Sequence, residues 1–434
     1  MYLPVRIFYK NIQTLNLQNL PTDRPVILAS NHPNSFMDAI VLGMVTKQKL
    51  NSLVRSDVFN SRLKRWFLSN LGLIPIYRIQ EGTHQLHKNS ETFEKCHDLF
   101  SKEKTVLIFS EGICKQERRL RKLKKGTARI AFGAEEFKDF KMGLVIVPVG
   151  LNYSKPNNFR SNVFVNFGES FEMSEFIDIY KQNKVKGIND FTHHLENKMR
   201  ELIVVIENTS NDKLIEDIEE IYKKQLLKNL NFNSNYLQND FKVTRQIANS
   251  INYFDDHDKE SLSMIKQKTS HYLNVIRKLK LRDSLLHRKT IDSIGIFSSF
   301  MNLMLLIIGF PFHLFGLIGN YLPYKTSFHI SNRKVTQIEF HSSVNLTLGT
   351  LLFIIFYLAQ GIALSLFFQQ PVVFVAYILL LTLSGWYSLY YWPFLKKTIG
   401  KLKLLYLLKF KRNTIEALSK ERENIIIVLE KIIK

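Results

Sequence analysis

The fold follows from the stretch "PVILASNHPNSFMDAIVLGMVTK", Pro25–Lys47. It opens on a short apolar run, breaks at small and polar residues around His32, and resumes after Asp38 with apolar residues at helical spacing. Strand, loop and helix are predicted in that order. The pattern recurs outward from there. "GLIPIYR" (72–78), "TVLIFSEG" (105–112) and "GLVIVPVGLNY" (143–153) are rich in β-branched and aromatic residues, as strands are. "SETFEKCHDLFSK" (90–102) and "KGTARIAFGAEEF" (125–137) fit helical spacing between them. Alternation of this kind predicts an α/β domain with a largely parallel sheet flanked by helices, over residues 25–205. Residues 1–24 mix Leu3, Val5, Ile7 and Phe8 with Arg6 and Lys10. They form either a membrane-surface segment or the first strand of the domain. Residues 206–290 read as a charged helical region, most simply a solvated layer on the α/β core.

Lys and Arg number 60 against 38 Asp and Glu, a formal net charge of +22, so an anionic partner is expected. The C-terminal third decides which. Ile294–Ile318, Val344–Phe368 and Val372–Leu395 carry no charged residue, and each exceeds the roughly 20 residues needed to cross a bilayer. Residues 291–395 therefore read as C-terminal membrane-embedded helices, and the partner as lipid headgroups. No nucleic-acid motif accompanies the basic residues. Residues 396–434 read as basic amphipathic C-terminal helices. Cys96 and Cys114 are the two cysteines. They supply neither a disulfide framework nor metal-ligand spacing, which fits a reducing compartment. The N-terminus shows no cleavable signal pattern.

Charge placement predicts a topology. The second and third apolar runs are joined by Gln369–Pro371 alone, as in a transmembrane hairpin. Lys325, Arg333 and Lys334 precede it, and Lys396, Lys397, Lys401 and Lys403 follow it. The positive-inside rule makes those ends cytoplasmic. The first run has Arg288 and Lys289 before it, Lys325 after it and Pro311 in its middle. It is expected to be re-entrant or interfacial, which keeps the α/β domain on the cytoplasmic face.

The chemistry starts in the first loop. Ser35 and Asp38 match a capping box, with Ser35 capping the helix and Asp38 in its first turn. Asp38 can then fold back to one ring nitrogen of His32 and leave the other free as a base, as in the lower two members of a catalytic triad. No G-x-S-x-G elbow is present, so the nucleophile of such a pair would come from the substrate. Arg78 lies just past a strand, where a guanidinium can grip phosphate in bidentate fashion. Glu111 and Gly112 end another strand; the glycine permits a tight turn, and the acid can bind a hydroxyl or orient a base. Arg118, Arg119, Arg121, Lys122, Lys124 and Lys125 precede a helix, either as a solvated basic face or as an anion site. Pro148 reads as a turn former at a strand end.

Four blocks in this order resemble the glycerophospholipid acyltransferases, which include lysophosphatidate and glycerol-3-phosphate acyltransferases. The first resembles the family's N-H-x(4)-D but is one residue longer, H-x(5)-D from His32 to Asp38. It is similar to the H-x-N-x-F-x-D form of the branch nearest the fungal glycerol-3-phosphate enzymes, and its loop must bulge to keep Asp38 within reach of His32. Gly72–Arg78 matches G-x-I-x-x-x-R, Phe109–Gly112 matches F-P-E-G with Ser110 for proline, and Val147–Val149 matches the V-P-V strand.

The resemblance implies a membrane-bound enzyme of phospholipid biosynthesis or remodelling. It would move a fatty acyl group from acyl-CoA or acyl-carrier protein to a hydroxyl of glycerol-3-phosphate or a lysophospholipid. His32 would be the general base and Asp38 its orienting partner, both catalytic. Arg78, Glu111 and Gly112 would bind the acceptor, with Lys124 and Lys125 as further phosphate or CoA contacts. Neither metal nor other cofactor is implied. The alternative is a non-catalytic lipid-binding or scaffold protein with a degenerate acyltransferase domain.

Overall fold

The computed structural model describes residues 2–78, 87–288, 291 and 295–433. Lys289 and Ile294, named above as a flank and as the start of the first apolar run, lie outside them. The chain divides into two compact units. The first takes Met1–Val205 together with Asn235–Phe241 and Gln337–Ser343.

In the first unit the described strands form one eight-stranded sheet in the order β1-β7-β6-β2-β5-β3-β4, with β8 on β6. The strands are β1 (Tyr9–Leu15), β2 (Val26–Ser30), β3 (Asn51–Arg55), β4 (Leu73–Ile76), β5 (Thr105–Phe109), β6 (Val145–Tyr153), β7 (Ser161–Phe167) and β8 (Phe171–Glu172). β6, β2, β5, β3 and β4 run parallel. β7 and β8 pair antiparallel with β6. The expected α/β architecture holds, with a mixed sheet on one side. β2 lies in the middle with all five residues buried, which is why "VILAS" is continuously small or apolar rather than alternating.

Helices α2 (Phe36–Thr46), α3 (Arg62–Asn70), α4 (Asn89–Ser101) and α5 (Gly126–Phe137) connect the parallel strands. Phe100, Phe132, Val106, Ile108 and Ile130 pack in the core between sheet and helices. Residues 1–24 belong to this unit. Helix α1 (Tyr2–Phe8) leads into β1, which pairs parallel with β7 at the sheet edge.

Pro148 is not a turn former. It lies inside β6, opposite Ala29 of β2. A proline lacks the N–H that a central strand uses. On the other side of β6 the neighbour changes here from β8, which pairs at Val145 and Ile146, to β7, which pairs from Val149. The missing donor falls in that gap, while the Pro148 carbonyl still accepts from the Gly168 N–H at 2.8 Å.

The second unit comprises Ile206–Ser234, Lys242–Thr336 and Val344–Lys434. Its helical part is pinned by a buried pair: the Arg422 guanidinium donates to both Asp283 oxygens at 2.7 and 3.0 Å and to the Ile221 carbonyl at 2.9 Å. Among the described residues, three helices are long and apolar enough to cross a bilayer by length and composition: Ile296–Lys334, Ile338–Phe367 and Pro371–Phe410. Pro371 starts the last of these, as proline does at a helix N-terminus. That helix continues past Leu395 to Phe410, and a separate helix, Arg412–Ile432, ends the chain.

The first apolar run corrects an expectation. The re-entrant reading took Pro311 as an interruption, yet Ile296–Lys334 is one helix of 39 residues with Pro311 and Pro323 inside it. Proline forfeits a backbone bond, which neighbouring helices can replace in an apolar setting. Here the Tyr391 hydroxyl donates to the Leu306 carbonyl at 2.9 Å, near the turn that Pro311 loosens. Close packing helps as well. A Cβ on Gly316 would lie 2.6 Å from Ser384 backbone atoms, so only glycine lets the two helices meet there.

Candidate active site

The C-terminal ends of β2, β5, β3 and β4 share one sheet edge, where open α/β sheets place their sites. Past β2, the Asn31 side chain accepts from the Leu151 N–H at 2.7 Å and donates to the Leu151 carbonyl at 3.1 Å, knitting β2 to β6. The loop then carries His32. Its Nδ1 lies 2.9 Å from Oδ2 of Asp38, which sits fully buried in the first turn of α2.

The extra residue in H-x(5)-D is absorbed at Ser35, which takes φ 48° and ψ −134°. Few non-glycine residues adopt such a backbone, and this is the bulge the spacing demanded. The capping box does not form, because Ser35 makes no side-chain cap. Asp38 does the work instead: its Oδ2 also accepts from the Asn34 N–H at 2.8 Å. The Ser35 N–H points at Cys114 Sγ, 3.1 Å away.

Tyr153, at the end of β6, completes the arrangement by donating its hydroxyl to Asp38 Oδ1 at 2.7 Å. An ionised Asp38 ringed by donors holds the proton on His32 Nδ1 and leaves Nε2 with a lone pair. The imidazole stacks on Phe109, with ring centroids 3.8 Å apart and planes 12° apart. Burial, and next the Asp38 charge, push the Tyr153 phenol well above its ordinary value, so it stays a donor. Tyr153→Phe is expected to lower kcat about tenfold, since a hydrogen bond to a charged group contributes roughly 1.5–3 kcal/mol. A kcat identical to the parent's would leave Tyr153 as packing only.

Glu111 fastens the next strand to this loop. Its Oε1 accepts the His32 N–H at 3.0 Å and its Oε2 the Arg121 N–H at 3.2 Å. Burial raises its carboxyl above the ordinary value, and the two amides partly offset that. Gly112 has φ +69°, and a Cβ there would lie 2.9 Å from Lys124 Cγ. A side chain is excluded on both counts. Ser110 shows what replaces the usual proline. Its N–H donates to the Ser30 carbonyl at 3.3 Å and its Oγ accepts from Thr127 at 3.0 Å, so hydrogen bonds fix the turn that a ring would otherwise stiffen.

His32, Asp38, Glu111 and Gly112 thus meet at the ends of β2 and β5. Arg78 stands farther along the same edge, two residues beyond β4. That is three strands from β2, about 14 Å at ~4.8 Å per strand. Lys124 and Lys125 are exposed just before α5. Part of the basic run is neutralised locally, because Arg121 binds both Glu117 oxygens at 2.8 Å.

Four side chains escaped the sequence reading. Tyr153 lay four residues past the V-P-V match and was legible only as a strand residue. The others come from Gln337–Ser343. Ser342 donates its hydroxyl to Asn34 Oδ1, and Asn34 Nδ2 donates to the Tyr9 hydroxyl at 2.9 Å. Glu339, buried, accepts the Gln116 N–H at 3.3 Å and lies 3.9 Å from Lys115 Nζ. Phe340 meets Phe36 edge-on at 6.0 Å.

Among the described residues, the donor atoms of His32, Asp38 and Cys114 lie within 4.8 Å of one another. All three are already engaged in the hydrogen bonds given above. Burial raises the Cys114 thiol, which keeps it protonated.

The buried Asp38 carboxylate thus holds His32 at the strand ends of an α/β sheet, beside Glu111 and Gly112. Residues 11–152 match the family model described as Acyltransferase. The chain is 30% identical over 112 residues to glycerol-3-phosphate O-acyltransferase 2 of Saccharomyces cerevisiae, a match covering 26% of this chain and 15% of that protein. It also aligns with the crystal structure of the 1-acyl-sn-glycerophosphate acyltransferase PlsC from Thermotoga maritima. That alignment has a TM-score of 0.33 and 16% identity, over 46% of this chain and 74% of the other.

Proposed function

We propose that the protein transfers a fatty acyl group from acyl-CoA or acyl-carrier protein to a hydroxyl of glycerol-3-phosphate or a lysophospholipid. The observation that carries this is the His32–Asp38 contact at 2.9 Å with Asp38 fully buried. His32 Nε2 takes the proton of the acceptor hydroxyl as its oxygen attacks the thioester carbonyl. That attack forms the ester C–O bond and a tetrahedral intermediate, whose collapse re-forms the carbonyl and breaks the C–S bond. The thiolate leaves and takes the proton from the imidazolium. Asp38 stabilises that imidazolium while it exists. No acyl-enzyme is required. The deciding assay supplies labelled acyl-CoA and a panel of acceptors to membranes carrying the protein; absence of acyl transfer to every phosphorylated glycerol acceptor would refute the reading.

Arg78 is the acceptor-phosphate residue in this reading, and Glu111 and Gly112 shape the acceptor site, with Lys124 and Lys125 nearby for phosphate. Arg78→Ala should raise the acceptor KM about 10- to 100-fold, from the roughly 1.5–3 kcal/mol that charged hydrogen bonds contribute. Arg78→Lys should recover part of it, lacking the planar fork. If only the acyl-donor KM moves, Arg78 belongs to the donor.

The α/β domain faces the cytoplasm in this proposal. Asn235–Phe241 and Gln337–Ser343, on either side of the first apolar helix, belong to one compact unit. With Ile296–Lys334 one continuous helix, this orientation requires that helix to lie in the interface rather than cross. With an impermeant thiol reagent on intact cells, a Gln369→Cys variant should label and a Thr22→Cys variant should not. Labelling of Thr22→Cys would put the domain outside; protection of Gln369→Cys would mean that the hairpin does not cross.

A further inference from the structure

Helix α3 joins the ends of β3 and β4, so its N-terminus emerges at the sheet edge that carries His32, Gly112 and Arg78. Its build is inverted. Leu63, Trp66 and Phe67 are 75, 66 and 55% exposed, and Leu71 just beyond is 53% exposed. Spacings of three and four residues put these four on one face. Leu68, on another side of the helix, is the one α3 residue that is even half-buried. Arg62 and Lys64 flank the apolar face, Arg65 lies on the opposite side, and the helix holds no acid. The nearest preceding acid, Asp57, is paired with Arg55. The helix is nonetheless fixed in place, since Ser61 Oγ caps it by accepting the Lys64 N–H at 3.2 Å.

We propose that α3 is a membrane-contact helix: its Leu63–Trp66–Phe67–Leu71 face enters the headgroup layer of an anionic bilayer and seats the site edge against the lipid. A large exposed apolar face needs a partner. Charge selects among the possible occupants. Basic residues on the shoulders of an aromatic-aliphatic face suit the boundary between anionic headgroups and acyl chains, where a tryptophan ring sits with its N–H in the wet layer. The proposal stands apart from the acyl-transfer reading, because it concerns where the helix lies and not what the site catalyses.

The chain holds three tryptophans, Trp66, Trp386 and Trp392, so a Trp386→Phe/Trp392→Phe variant reports Trp66 alone. The full-length variant is placed in vesicles of phosphatidylcholine and phosphatidylglycerol, part of the lipid being brominated. Bromines near the headgroup end of the acyl chains should quench Trp66 ~twofold or more, and bromines near the terminal methyl less. Omitting phosphatidylglycerol should weaken the quenching. A Leu63→Cys variant carrying a polarity-sensitive fluorophore gives the same readout with all tryptophans in place, should the double variant not fold. Quenching by aqueous acrylamide without quenching by brominated lipid would mean a solvated face and overturn the proposal. Protection from both quenchers would mean that a protein, such as a second copy of the chain, covers the face, and would overturn it equally.

Discussion

Replacing His32 by alanine should lower the rate of acyl transfer ~10²–10⁴-fold, the range that a positioned general base contributes. The protein should still fold. The imidazole is on the surface side of the pair, 19% exposed against 0% for the Asp38 side chain. The interactions that hold the loop are backbone ones: the His32 N–H on Glu111, and the His32 carbonyl accepting from the Lys115 N–H at 3.1 Å. Alanine keeps both. Turnover measured in membranes, alongside the amount of inserted protein, separates chemistry from folding. Near-normal turnover would remove His32 from the mechanism.

Asp38→Asn should cut kcat ~10²–10⁴-fold and move the acceptor KM little, because the carboxylate acts on the histidine and not on the substrate. All three partners of Asp38 are donors: His32 Nδ1, the Asn34 N–H and the Tyr153 hydroxyl. An amide can satisfy two of them with its oxygen and face its NH₂ toward Tyr153, whose hydroxyl can turn to accept. The variant therefore keeps its shape and loses the negative charge that balances a protonated His32. An unchanged kcat would mean that the pair is structural.

These two residues were legible in the sequence because their relation is local. The strand–loop–helix reading of Pro25–Lys47, the alternation that gave the parallel strands and the three apolar runs all rest on spacings within one element. What stayed hidden has one of two causes. Some of it is backbone detail: Ser35 with its positive φ looks like a capping serine in any one-dimensional pattern, and Pro148 fits a central strand only because β8 hands over to β7 beside it. The rest depends on contacts between distant parts of the chain. Nothing near Tyr153 announces Asp38, 115 residues away, and nothing near Ser342 announces Asn34, 308 residues away. Glu111 was read as facing a substrate or a base, whereas the amides of His32 and Arg121 occupy its two oxygens. Only the tertiary fold brings those donors to it.

The unit that houses the His32–Asp38 pair is assembled from three separate lengths of chain, the last of which, Gln337–Ser343, runs into the start of the second apolar helix. The apolar helices are therefore not cleanly separable in sequence from that unit. A fragment ending at Val205 would hold every matched motif yet lack the two seven-residue segments of its unit, Asn235–Phe241 and Gln337–Ser343. Asn34 Oδ1 and the Gln116 N–H would lose Ser342 and Glu339, and Phe36 would lose the ring of Phe340. Gln13, whose side chain accepts from the Leu237 N–H at 2.7 Å and donates to the Asn235 carbonyl at 2.9 Å, would lose both partners as well. Isolating the first unit requires grafting Asn235–Phe241 and Gln337–Ser343 back onto the fragment, not trimming the chain at a boundary.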